Sequence, residues 1–143
     1  MLEKFIKPES VNVDLQSTDK EEVFLCPSLD RAEVLKALLE REQKMTTGII
    51  PGIAIPHAIS DKIKEPVFAI GKSKKGIDFD SLDKKPVHII FMILFPADDT
   101  SLHLNIMQRL ALLFNKPEFY NSVMEKLTGE QIVNTILAIE ESL

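Results

Sequence analysis

Three histidines, His57, His88 and His103, are the side chains here best suited to chemistry near neutral pH. Imidazole has an unperturbed pKa of about 6.5, so a neutral, nucleophilic ring is available in the cell. His57 closes the run Gly52-Ile53-Ala54-Ile55-Pro56-His57. That places it just past the end of a short strand, behind a proline whose fixed φ makes the step stiff. An isolated histidine in a loop has no special task as its ordinary reading; the stiff step makes this one a positioned nucleophile. His103 falls in the first turn of a helix with Thr100 or Ser101 as its cap. At about 100° per residue it shares a face with Met107, Leu110 and Phe114. It is therefore either a packed core histidine or a group beside the unpaired N–H groups of a helix N-terminus near Ser101, where an anion binds well. His88 lies inside an apolar stretch and reads as structural.

Arg41 stands near the end of a helix, three residues after Leu38 and seven after Val34, and leans toward the buried face. A cation there complements the helix C-terminus, and an inward guanidinium is also a fork for a phosphate. Spacing is consistent with both roles. Cys26 has no charged neighbour in sequence that would activate a thiolate. Scattered histidines and one cysteine, without paired spacing, give no metal site. Neither a glycine-rich phosphate loop, a dinucleotide fingerprint nor a nucleophile elbow is present, so no cofactor is expected.

The elements that must position these groups follow from periodicity. Val11, Val13 and Leu15 alternate with polar residues as in a strand with one wet face. Thr18 to Glu22 opens a short helix that Pro27 stops, and Asp30 with Glu33 forms a capping box for a helix ending near Gln43 or Lys44. Val67 to Ile70 and Gly76 to Phe79 read as two short strands separated by Lys72, Lys74 and Lys75, a solvated turn. Val87 to Phe95, almost wholly apolar, is a central strand covered on both faces. Helices follow from about Ser101 to Phe114, Glu118 to Leu127, and Thr128 to Leu143, the last opened by a Thr128–Gln131 capping box. Strands in the middle with helices before and after give an α/β sandwich.

A chain of 143 residues, 45% apolar and 27% charged, suits one domain, 1–143, with a single core. Its net charge of −5 argues against general nucleic-acid binding. The start Met1-Leu2-Glu3-Lys4 lacks a secretory signal, and one cysteine fits a reducing, cytoplasmic setting.

With these residues in view, the sequence resembles a known family. Arg41-Glu42, Thr46-Thr47-Gly48-Ile49 and Gly52-Ile53-Ala54-Ile55-Pro56-His57-Ala58 are similar to the active-site segment of the IIA component of bacterial sugar phosphotransferase systems, fructose/mannitol type, which includes the nitrogen-regulatory branch. Gly76-Ile77-Asp78-Phe79-Asp80, Phe95-Pro96-Ala97 and His103-Leu104 continue the pattern. The resemblance implies a mixed β-sheet with helices on both faces, a three-layer sandwich. It implies that His57 is phosphorylated by the phosphocarrier protein HPr and passes the group to an EIIB domain. Arg41 and His103 match the other two active-site positions; Thr47 and Ser101 would support the phosphate. The membrane enters only through the transporter complex. Between two phosphoimidazoles the exchange is nearly thermoneutral and needs no metal. The apolar Ile49, Ile50, Ile53 and Ile55 would seat a partner and exclude water. A regulatory role, in which the phosphorylation state of His57 selects a bound protein, is the alternative within the family. Two departures stand out. Ile50-Pro51-Gly52 replaces the usual Gly-Asn-Gly, which predicts a differently shaped loop, and the first helix is shortened between Glu22 and Leu29.

Overall fold

Alternating burial on both faces of one long strand organises the protein. The computed structural model describes residues 1–16 and 32–143. Among the described residues five strands form a mixed sheet: β1 (Val11–Asn12), β2 (Ile53–Ala54), β3 (His57–Ser60), β4 (Val67–Ile77) and β5 (Val87–Pro96), in the order β1-β4-β5-β2 with β3 also paired to β5. β4 runs antiparallel to β5, while β1 is parallel to β4, and β2 and β3 are parallel to β5. Ile89, Phe91, Ile93 and Phe95 point into one core and Ile90, Met92 and Leu94 into the other. The first core is closed by three helices, α2 (Thr100–Phe114), α3 (Phe119–Met124) and α4 (Gly129–Glu141). The second is closed by α1 (Ala32–Lys44), through Leu38. Helices thus flank both faces of a mixed sheet, the expected α/β sandwich.

Several local expectations change. Lys72, Lys74 and Lys75 do not form a solvated turn. They lie within the single strand β4, whose register shifts between Lys72 and Ile77. Lys72 is buried, and its ammonium donates to the carbonyls of Met124 and Lys126. It thereby satisfies carbonyls that the end of α3 leaves unpaired, and that helix stops at Met124 rather than Leu127. Burial pushes the Lys72 pKa down. The cap of α2 is Asp99, not Thr100 or Ser101; its carboxylate accepts the Leu102 N–H at 2.9 Å. At α4, Thr128 Oγ1 accepts the Gln131 N–H (3.2 Å) as expected, and Gln131 reaches back to the Leu127 N–H (3.0 Å). His88 is structural in geometry: its Nδ1 lies 2.9 Å from the Ser73 carbonyl and ties β5 to the shifted part of β4. The Thr18–Glu22 helix start, Cys26, Pro27, the shortened stretch from Glu22 to Leu29 and the Asp30 cap lie outside the described residues.

Ile50-Pro51-Gly52-Ile53 is a tight turn closed by the Ile53 N–H on the Ile50 carbonyl, at 3.0 Å. Proline fits its second position, where no N–H is used, and Gly52 adopts φ +76, which the third position of a type II turn demands. Pro51 therefore stiffens the approach to β2 without removing a needed donor.

One buried carboxylate holds the helical layer. Glu140, 3% exposed, accepts the Leu2 N–H (3.0 and 3.1 Å) and Arg109 Nε (3.0 Å), and pairs with the Met1 amino group at 3.2 Å. Burial alone would raise its pKa; Arg109, the Leu2 N–H and the amino group outweigh burial and lower it below the usual 4.5. A carboxylate depressed by folding stabilises fully above the unfolded pKa and loses that contribution as pH falls through the folded value. Glu140→Ala is expected to cost about 2 kcal/mol in urea unfolding at pH 7, since buried donors lose their acceptor while Arg109 can return to solvent. The difference from wild type should shrink steadily on acidification below pH 4.5.

Candidate active site

Three distant segments meet at one end of the sheet. Leu38 packs against Ala54 and Ala58, and one turn later on the same face stands Arg41. His57 does not trail the short strand β2, as its sequence position predicts. It is the first residue of β3, paired with Ile93, beyond a break at Ile55-Pro56 in the line of strands along β5. Two residues past Ile93, Phe95 projects to the same side. The chain then turns at Pro96 to Asp99 and returns through the first turn of α2, which brings back His103.

The rings make a compact set. The centroids of His57 and His103 are 6.0 Å apart at 70°. Phe95 stacks on His103 at 4.0 Å and 17°, and meets His57 edge-on at 6.3 Å. His57 Nδ1 lies 2.7 Å from the Ile55 carbonyl oxygen. A carbonyl only accepts, so Nδ1 carries the proton and Nε2 of the neutral ring keeps its lone pair. This is the tautomer-fixing partner that sequence spacing does not reveal.

Burial disfavours the charged form of both rings. Burial pushes the His57 pKa below 6.5; the Ile55 bond opposes this, Arg41 and His103 push it further down, and Glu42 pulls it up. Burial also lowers His103. A nucleophile with a depressed pKa stays unprotonated into mildly acidic solution. The acid limb of a phosphorylation-rate profile should therefore fall below pH 6.5, measured as initial rate against pH.

Arg41 answers to both sequence readings. Its Nη1 donates to the Met45 carbonyl at 2.9 Å, one helical turn on, which closes the end of α1. Its charge also acts on His57, adding to the burial that lowers that ring's pKa. Among the described residues the remaining guanidinium N–H groups meet no acceptor, so they are available to an anion. Thr47 stands one step back: its N–H and Oγ1 both donate to Glu42, at 2.9 and 2.8 Å. Ser101 is exposed in the first turn of α2, and its side chain makes no hydrogen bond among the described residues.

Glu42 and Phe95 are members of the site that sequence reasoning gives no role. Both stand in quoted motifs, Arg41-Glu42 and Phe95-Pro96-Ala97, and that adjacency is the only signal for them. The expected apolar seat also changes. Ile53, in β2, and Ile55, in the break after it, are core residues, 2% and 7% exposed, and belong to the cluster closed by α2, α3 and α4. The exposed apolar groups are Ile49, Met45 beside the carbonyl that Arg41 holds, Ile59 two along β3 from His57, and Leu104 next to His103. Among the described residues no three of His, Cys, Asp and Glu are grouped to hold a metal ion, and no helix is long and apolar enough to cross a membrane.

A neutral imidazole with a fixed tautomer thus stands beside a second imidazole and within the influence of a guanidinium, a set of groups able to hold an anion at the bare ring nitrogen. Residues 4–139 match the family described as phosphoenolpyruvate-dependent sugar phosphotransferase system, EIIA 2. The chain is 43% identical over 112 residues to the fructose-specific EIIA component of Haloferax volcanii, covering 76% of this chain and 70% of that protein. It is 32% identical over 142 residues to the fructose-specific EIIABC component of Bacillus subtilis, 93% of this chain but 22% of that longer protein. The crystal structure of nitrogen regulatory protein IIA-Ntr from Neisseria meningitidis superimposes with a TM-score of 0.85 at 26% identity, covering 93% of this chain and 97% of that one. The mannitol IIA of Escherichia coli shares the fold, with a TM-score of 0.75 at 14% identity over 91% of this chain and 97% of that one. The chain belongs to the EIIA 2 family of the sugar phosphotransferase system.

Proposed function

We propose that this chain, as one domain over 1–143, is a cytoplasmic phosphoryl carrier that takes a phosphoryl group from phospho-HPr onto His57 Nε2 and passes it to an EIIB domain during sugar uptake. The observation that carries the reading is the 2.7 Å contact from His57 Nδ1 to the Ile55 carbonyl, which leaves Nε2 as the nucleophile. In the transfer, the Nε2 lone pair attacks phosphorus while the N–P bond to the donor imidazole breaks and its electron pair leaves with that ring. No proton need leave His57, because Nε2 carries none. Arg41 and His103 offer donors to the equatorial oxygens, where negative charge is spread in a loose transition state. Thr47 supports the site through the main chain, and the N–H groups near Ser101 add to the anion's surroundings. Ile49, Ile59, Met45 and Leu104 form the rim on which a partner protein closes and excludes water.

Incubation with phosphoenolpyruvate, enzyme I and HPr should place an acid-labile phosphoryl group on the chain, and a fructose-type EIIB should remove it. Absence of labelling rejects the reading. The likeness to IIA-Ntr favours a second reading, in which the phosphorylated state governs binding of another protein. Labelling that no EIIB discharges would select it.

A further inference from the structure

The site holds a buried carboxylate that the transfer itself does not use. We infer that Glu42 and Thr47 form a clamp that fixes the tautomer of His57, acting as positioning residues through the main chain and not as ligands of the phosphoryl group. Glu42 lies in the last turns of α1 and is 3% exposed; Thr47 is 4% exposed. Both carboxylate oxygens engage the same residue, Oε1 taking the Thr47 N–H and Oε2 the Thr47 hydroxyl. Burying a carboxylate is costly unless such charge-assisted bonds repay the lost hydration, so this geometry is held firmly.

The clamp continues toward the imidazole. The carbonyl of Thr47 accepts the Ile55 N–H at 3.3 Å, and the carbonyl of Ile55 accepts His57 Nδ1–H. On the other side, the Pro56 carbonyl accepts the Ile93 N–H at 2.9 Å. The break between β2 and β3 is thus anchored to β5 by Pro56 and to α1 by Thr47. Without the clamp, the Ile55 carbonyl loses its α1-side anchor and selects Nδ1–H less strictly. Whenever the proton moves to Nε2, that nitrogen has no lone pair to attack with. The same carboxylate has a second effect. Attack on phosphorus gives the ring positive character, which the Ile55 carbonyl and the nearby charge of Glu42 both favour, against Arg41 and His103.

The role rests on His57 being the phosphorylated residue, so the test reads the ring before any transfer. In unphosphorylated, 15N-labelled protein at pH 8, ring correlation spectra should give His57 one protonated Nδ1 and one bare Nε2. Glu42→Ala should move both nitrogens toward averaged shifts and slow labelling by HPr about tenfold or more. Glu42→Gln keeps an acceptor for the Thr47 N–H and should restore the tautomer and most of the rate. Thr47→Val, which keeps the shape but loses the hydroxyl bond, should cause a smaller shift of the same sign, and it decides the matter if Glu42→Ala fails to fold. A folded Glu42→Ala or Thr47→Val protein with wild-type His57 ring shifts overturns the clamp, whatever its labelling rate. Failure of HPr to label wild type would defeat the carrier role while the ring spectra still decide on the clamp.

Discussion

His57→Ala is expected to abolish acceptance of a phosphoryl group completely while leaving the protein folded. The ring is the only one in the site whose partner fixes a bare, nucleophilic nitrogen: Nδ1 is committed to the Ile55 carbonyl, and burial keeps the ring unprotonated. His103 is no substitute, because its ring is stacked on Phe95 and no acceptor among the described residues orients it. Stability should change little. His57 is half-buried, and its removal leaves one carbonyl without a donor, worth about 1 kcal/mol. Labelling with phosphoenolpyruvate, enzyme I and HPr, together with urea unfolding of the same preparation, separates the two effects. Retained label would move the chemistry to another residue.

Arg41→Ala should slow transfer by about a hundredfold, the usual effect of removing one preorganised donor from a developing oxyanion. Loss of the bond to Met45 should cost about 1 kcal/mol of stability. The substitution carries a second, independent signature. Burial is the main cause of the lowered His57 pKa and Arg41 adds to it, so removing Arg41 should let that pKa rise part of the way toward 6.5 and carry the acid limb of the rate profile with it. Arg41→Lys restores charge without the planar fork and should fall between the two. Slowed transfer with an unmoved His57 titration would mean that Arg41 acts only at the end of α1.

Much of this site could be read from residue order because its parts carry local marks. Gly52 and Pro56 frame His57, and the break after Phe95 announces the helix that carries His103. The central strand was legible for a related reason: burial on both faces leaves no polar alternation to confuse it. What stayed hidden depends on distant chain. Lys72 looks like a surface charge until the end of α3, more than fifty residues later, presents its carbonyls. Asp99, Thr100 and Ser101 are all competent caps, and only the exit of β5 decides that Asp99 takes the position. His57 begins a strand instead of ending one because Ile93 lies opposite it, a matter of register that Ile55-Pro56 alone does not encode. Glu42 and Thr47 are five apart, a spacing that no helical rule pairs, and they meet only because the chain leaves α1 and folds back.

The most direct measurement is to phosphorylate ring-15N-labelled protein through HPr and observe the coupling between phosphorus and the imidazole nitrogens of His57. The geometry predicts phosphorus on Nε2, with Nδ1 still protonated against the Ile55 carbonyl. Phosphorus on Nδ1, or on any residue other than His57, would contradict it.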